Sequence, residues 1–253
     1  MNFKIATSWS ELNSYQKQNV AHLLFTEPNK DYKFAIKLLR AVVVASKSWW
    51  QKMKFHWLIL CVPFSTLLPY IDFVQEEPDL YQFPQIKGLK APSNRIGSFT
   101  IKQFSIVDYL FYQWKKTNNQ LFLRQMVAAI YTLGEFNEDN LPKIAETTDK
   151  LSDQKRAHVA FAFMCSRNYI VKNYPVVFPP PVEPDPDLIV PVFKKTTDNY
   201  IPFNEIIIAM AYDDAQPIGN YHIAKNTNVY DFMKIFTKSI LRQEELAKQL
   251  NKK

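Results

Sequence analysis

The sequence predicts a mainly α protein. The expected architecture is an irregular helical bundle built on helix hairpins, with long ordered loops and a proline-rich linker ahead of a C-terminal helical segment. Three observations carry this. Phe104, Val107, Phe111 and Trp114 recur at three- and four-residue spacing, which places them on one helical face. Two stretches, Ser8-Trp9-Ser10-Glu11 and Thr100-Ile101-Lys102-Gln103, have the pattern of capping boxes; in each, a hydroxyl can accept a backbone amide while the fourth residue reaches back. Sixteen prolines and four glycines punctuate the chain of 253 residues.

The first helix is expected from Ser8 to about Phe25, stopping before Pro28. The second runs from about Lys30 to Ala45, with Phe34, Ile36, Leu38, Leu39, Val42 and Val43 giving it a wide apolar face. Burial there overrides the weak helix propensity of three successive valines. Ser48 to Cys61 reads equally as a helix or a buried strand, and Pro63 ends it either way. A short helix follows from Ser65 to Gln75. Glu77 to Gly97, with three prolines and two glycines, reads as a long ordered loop packed by Leu80, Tyr81, Phe83, Ile86 and Leu89. Loops of this length without secondary structure often work by contact.

After Thr100, one helix breaks at Thr117-Asn118-Asn119. A second follows, with Phe122, Met126, Ala129 and Ile130 on one face, and Gly134 is placed to end it. So short a connection predicts an antiparallel hairpin. Two more helices cover Leu141 to Leu151 and Ser152 to Tyr174. Residues 179–191 then hold six prolines, as in an extended linker of polyproline II type. Pro202 to Tyr212 suits a short helix, although its three isoleucines would also suit a strand. Asn228 to about Asn251 is a terminal helix with Val229, Phe232, Met233, Phe236 and Ile240 as its core stripe and a polar end that projects or frays. The expected division is a main helical domain over 1–178, a linker over 179–201, and a C-terminal segment over 202–253 that packs on the main domain or on a neighbouring subunit.

Composition excludes several classes. With only Gly88, Gly97, Gly134 and Gly219, no glycine-rich phosphate loop can be built. No GxSxG, SxxK or HExxH pattern occurs, and His22, His56, His158 and His222 lack zinc-ligand spacing. No catalytic residue, cofactor site or metal site is expected, and the chain reads as a non-enzyme. The adjacent acids Glu76-Glu77 and Asp213-Asp214 read as solvated loop residues rather than a cation site. Cys61 and Cys165 sit in apolar surroundings and read as buried free thiols. Met1 to Ser10 is polar, and the apolar run Trp57 to Leu68 is short and holds Pro63. Cytoplasmic synthesis without membrane insertion is therefore expected.

The formal charge is +7, and residues 1–60 carry nine Lys/Arg against three acids. Within that quarter, Lys47, Trp49, Trp50, Lys52 and Lys54 mix cations and aromatics. The segment 47–57 has the pattern of a base-stacking, phosphate-binding surface, and equally of core tryptophans with snorkelling lysines. Asp108 lies beside the apolar stripe of its helix, where a polar contact to a neighbouring element is its expected use.

The stretch FTIKQFSIVDYLFYQWKKTNNQLFLRQMVAAIY within residues 98–140 resembles tail-region proteins of phages and prophages of Bacteroidetes-type bacteria. It shares a Phe-initiated helix, a short polar break, and a second helix ending in an AxxY-like stretch. The preceding loop FVQEEPDLYQFPQIKGLKAPSNRIGSFT, the exit FMCSRNYIVKNYPVVF and the closing NVYDFMKIF are similar in character. The resemblance spans about residues 60–240 and implies a structural or tail-assembly protein in a virion or assembly particle. Such a protein acts by docking to other protein subunits, as a hetero- or homo-oligomer. The contact residues expected on this reading are Leu80, Tyr81, Phe83 and Ile86 in the long loop and Pro179, Pro180, Pro181 and Val182 in the linker. The alternative is a basic helical protein bound to nucleic acid through the 47–57 segment.

Overall fold

The structure is a computed structural model that describes residues 5–27, 31–179, 200–213 and 217–250. Among these residues the chain is helical, with no β-strand beyond two isolated bridges. The eleven α-helices are α1 (Ser14–Thr26), α2 (Tyr32–Val43), α3 (Trp49–Cys61), α4 (Phe64–Leu67), α5 (Ile101–Thr117), α6 (Gln120–Ile130), α7 (Leu141–Thr148), α8 (Asp153–Asn173), α9 (Phe203–Tyr212), α10 (Tyr221–Asn226) and α11 (Val229–Leu250). Both ambiguous segments, at α3 and α9, are therefore helices. The expected linker falls largely on residues 180–199, outside the described residues. By contacts the chain forms two compact units, Met1–Ile96 with Gln120–Ser166, and Gly97–Asn119 with Arg167–Lys253.

In the first unit, a capping box forms five residues later than expected. Asn13 accepts from the Tyr15 and Gln16 amides at 2.9 and 3.0 Å, and the Gln16 side chain accepts from the Asn13 amide at 2.9 Å. Glu11 instead accepts from the Thr7 amide at 2.8 Å and closes a turn. Asn is as good a cap as Ser, and the turn before it lets Trp9 and Leu12 reach the core. Trp9 stacks on Phe161 at 5.2 Å and meets Phe73 edge-on at 5.7 Å. Asn13 donates to the Ala45 carbonyl at 2.9 Å, and Gln16 donates to that of Val42. These bonds tie the start of α1 to the end of α2 as an antiparallel hairpin. Helix α8 is buried at every position from Arg156 to Phe163, so all its faces are covered there, as in a central core helix.

The second unit is organised by α5, which packs on α9, α10 and α11. The Ile101 amide donates to Thr227 O at 2.8 Å, and the Val229 amide donates to Phe99 O at 3.0 Å. Asn228 adds a side-chain bond to Gly97 O at 2.8 Å. The starts of α5 and α11 are thus pinned together. Helices α5 and α6 fall in different units, and α6 packs on α7 in its own. Asn118 at the break takes a left-handed φ of 55°, a conformation that Asn tolerates well. Helix α6 ends at Ile130, ahead of Gly134, because Thr132 leaves the helix to pair with Lys90 in both directions, at 2.8 and 3.1 Å.

Candidate functional site

Helix α3 carries an unusual distribution of side chains. At about 100° per residue, Gln51, Phe55, Leu58 and Ile59 face one way; Phe55 is buried and the other three are half-buried. Gln51 also accepts from the Ser46 amide at 2.9 Å. The opposite arc holds Trp49, Met53, Trp57 and Leu60 at successive turns, with Trp50 and Cys61 beside them. Trp49, Trp50, Trp57 and Leu60 are 60, 69, 55 and 67% exposed. Exposed Lys52 and His56 border this arc on one side and exposed Lys54 on the other. The helix is therefore apolar on its solvent side as well as toward the core. Trp49 and Trp50 meet edge-on at 4.8 Å.

Beside α3 lies a groove of about 260 Å³, lined by Tyr15, Asn19, His22 and Leu23 of α1, Lys37, Arg40 and Ala41 of α2, Val44, and Lys52 of α3. Lys37 pairs with Glu27 at 2.5 Å. Among the described residues no acid lines the groove itself. From residue 32 to residue 71 the chain has six Lys/Arg and no Asp or Glu. Lys47, Trp49, Trp50, Lys52 and Lys54 thus share one exposed segment. Leu60 and Cys61 lie beyond the expected segment 47–57; the helical spacing of Trp57 and Leu60 and the run without acids are the sequence signals that could have found them.

The long loop is ordered as expected, but three of its four contact candidates face inward. Leu80, Phe83 and Ile86 are buried, and Tyr81 is half-buried with Arg95 over its ring at 4.8 Å. The Tyr131 hydroxyl donates to Pro84 O at 2.7 Å, and burial pushes its pKa far above the usual phenol range. Leu80, Phe83 and Ile86 thus turn inward, because apolar side chains gain more from a core than from water. Pro179 is exposed, whereas Pro180, Pro181 and Val182 lie outside the described residues.

Asp108 is buried with both oxygens engaged. Arg167 donates to one at 2.5 Å, and the Tyr200 hydroxyl donates to the other at 2.9 Å. The Tyr200 ring stacks on Tyr112 at 4.0 Å. Burial first, and then the Asp108 charge, push the Tyr200 hydroxyl well above its ordinary pKa. This arrangement holds elements of the second unit together. His158 is buried in α8 with neither ring nitrogen hydrogen-bonded; burial, aided by the Lys17 charge, lowers its pKa to about 4. Cys165 is buried, and its thiol is pushed up to about 12, chiefly by burial. The expectation for Cys61 is corrected, since it is exposed at the outward end of α3. Glu76 and Glu77 are exposed, and Asp213 lies 3.5 Å from the Gln243 amide nitrogen. No group of three His, Cys, Asp or Glu among the described residues could hold a metal ion.

Helix α11 presents a second surface. Val229, Phe232 and Met233 are buried, Phe236 and Ile240 are half-buried, and 241–250 are all exposed while still helical. The alternating four- and three-residue spacing of Phe232, Phe236, Ser239, Gln243, Leu246 and Leu250 carries the buried face onward into solvent. Leu246 and Leu250 are 49 and 73% exposed. A groove of about 390 Å³ runs beside this stripe, lined in part by Pro217, Ile235 and Leu246. No protein-family model matches the chain, and no curated protein or solved structure matches it.

Proposed function

We propose that the protein is a non-enzymatic structural or assembly component that works by docking to another protein subunit. The observation that carries this reading is the exposed continuation of the α11 stripe. An amphipathic helix normally ends, or loses its apolar spacing, where its core partner ends. Here two leucines return on that face beyond the polar Ser239 and Gln243 and past the core, so Leu246 and Leu250 are available to a helix-in-groove or paired-helix contact. The assembly we propose is a phage tail or related injection particle; support for that choice is the resemblance of residues 98–140.

The test uses the full chain with Leu246→Glu and Leu250→Glu combined. Both side chains are exposed, so the fold should be retained by circular dichroism. Incorporation into the particle, or co-purification with the neighbouring subunit, should be lost. Normal incorporation would refute the reading. A second reading, nucleic-acid binding, is favoured by the shared exposure of Lys47, Trp49, Trp50, Lys52 and Lys54. It requires affinity for single strands or duplex that falls steeply with salt.

A further inference from the structure

We propose that the outward face of α3 seats on an anionic lipid bilayer surface. On this proposal Trp49, Trp50, Trp57 and Leu60 enter the headgroup boundary, and Lys52 and Arg40 hold headgroup phosphates. The arc is convex and apolar along its centre, and cations border it on both sides. That is the side-chain order of a helix lying in a membrane interface, where tryptophan prefers the boundary and lysine reaches back to the headgroups. Three of the chain's five tryptophans are on this face, whereas Trp9 and Trp114 are buried. No helix among the described residues is long and apolar enough to cross a membrane, so the helix lies along the surface.

Charge selects the occupant. The run 32–71 has six cations and no acid, and the groove shared by Lys37, Arg40 and Lys52 opens next to the arc. A second copy would bring Lys52 and Lys54 against their own kind, which disfavours self-pairing. Nucleic acid would suit the lysines but not the aliphatic ridge of Met53 and Leu60. The two leading tryptophans also meet edge-on rather than as parallel platforms for bases. An anionic bilayer suits both the ridge and its rims, because apolar burial and electrostatic attraction add.

Cys61 provides a local reporter, because it is exposed on the same arc while Cys165 is buried. The full chain, labelled at Cys61 with a polarity-sensitive fluorophore, is mixed with phosphatidylcholine vesicles containing or lacking about 30% phosphatidylglycerol, a fraction sufficient for a strong negative surface potential. Unlabelled protein is sedimented with the same vesicles. Sedimentation with the anionic vesicles, together with a blue shift of the probe, is expected. Trp50→Ala with Trp57→Ala should weaken partitioning about tenfold or more, by loss of interfacial apolar area. Trp57→Phe should retain most of it. Lys52→Glu with Lys54→Glu should abolish the preference for anionic over neutral vesicles. The proposal is overturned if the wild-type chain stays in the supernatant, or if the double tryptophan variant binds equally well. It is also overturned if a duplex or single-stranded oligonucleotide shifts the probe and competes the protein off the vesicles.

Discussion

Helices α3 and α5 both carry tryptophan and aromatic residues at helical spacing, and the molecule treats them in opposite ways. Along α5, Phe104, Val107 and Trp114 are buried, and its exposed positions include Tyr109, Lys115 and Lys116. Along α3 only Phe55 is buried, and three tryptophans face solvent. The difference lies in how the apolar residues are spread around each axis. A single stripe can be covered by one set of neighbours. Apolar residues on two opposite arcs need two sets, and within its unit α3 has one. Hydrophobic content alone therefore does not identify a core helix, and an uncovered second arc marks a candidate interaction surface.

The comparison breaks most sharply on substitution of large side chains. Phe104→Ala should destabilise the second unit by about 3–5 kcal/mol through the cavity it leaves, read as a lower urea midpoint. If its cost matched that of an α3 tryptophan, the assignment of α5 as core would fail. The next largest effect is predicted for His158, a buried polar group with no hydrogen-bond partner. Its folded pKa of about 4 lies below the ordinary 6.5, so the unfolded chain takes the proton first. Stability is full above the ordinary value and should fall as pH drops through the interval, by about 1.4 kcal/mol per unit and about 3 kcal/mol in all. Denaturant titrations at stepped pH measure this, and His158→Met should flatten the acid limb.

Asp108→Ala should cost about 2–3 kcal/mol, because it strands the partly exposed Arg167 and the Tyr200 hydroxyl. A change below about 0.5 kcal/mol, the range of featureless surface sites, would show that the buried carboxylate holds nothing together. Tyr131→Phe removes a single bond to Pro84 and should cost about 1 kcal/mol. Its effect should be visible as faster amide exchange at Leu89 and Lys90. The smallest effect is expected on α3, where Trp50→Ala should stay within about 0.5 kcal/mol of the parent. A larger loss would mean that the indole is a packing residue and would weaken the case for a docking face.

The helices and many of their limits were legible in the sequence, since apolar spacing, Thr100 as a cap, and Pro63 act within a few residues. Asp108 was legible as a group needing a polar partner, though not as a partner of Arg167 and Tyr200, which are distant in the chain. The long loop was legible as packed, and its anchoring residues were named correctly. Their direction was not, because an apolar loop residue can serve a core or a partner and the sequence pattern is the same for both. Of the exposed α3 face, the segment 47–57 was legible as a mixture of cations and aromatics; the exposure of Trp57, Leu60 and Cys61 was not.

By itself the sequence determined the helical class, the lack of any glycine-built phosphate loop, and the cation-rich stretch beside the tryptophans. These are properties of composition and short-range spacing. Tertiary structure alone decided that Leu80, Phe83 and Ile86 turn inward, that α8 is buried on every side from Arg156 to Phe163, and that α3 keeps one apolar arc uncovered. Each of those outcomes depends on which distant segment reaches a given face first, and burial free energy is non-directional. The chain can specify an apolar arc locally, but only the packed fold determines whether that arc is left for another surface.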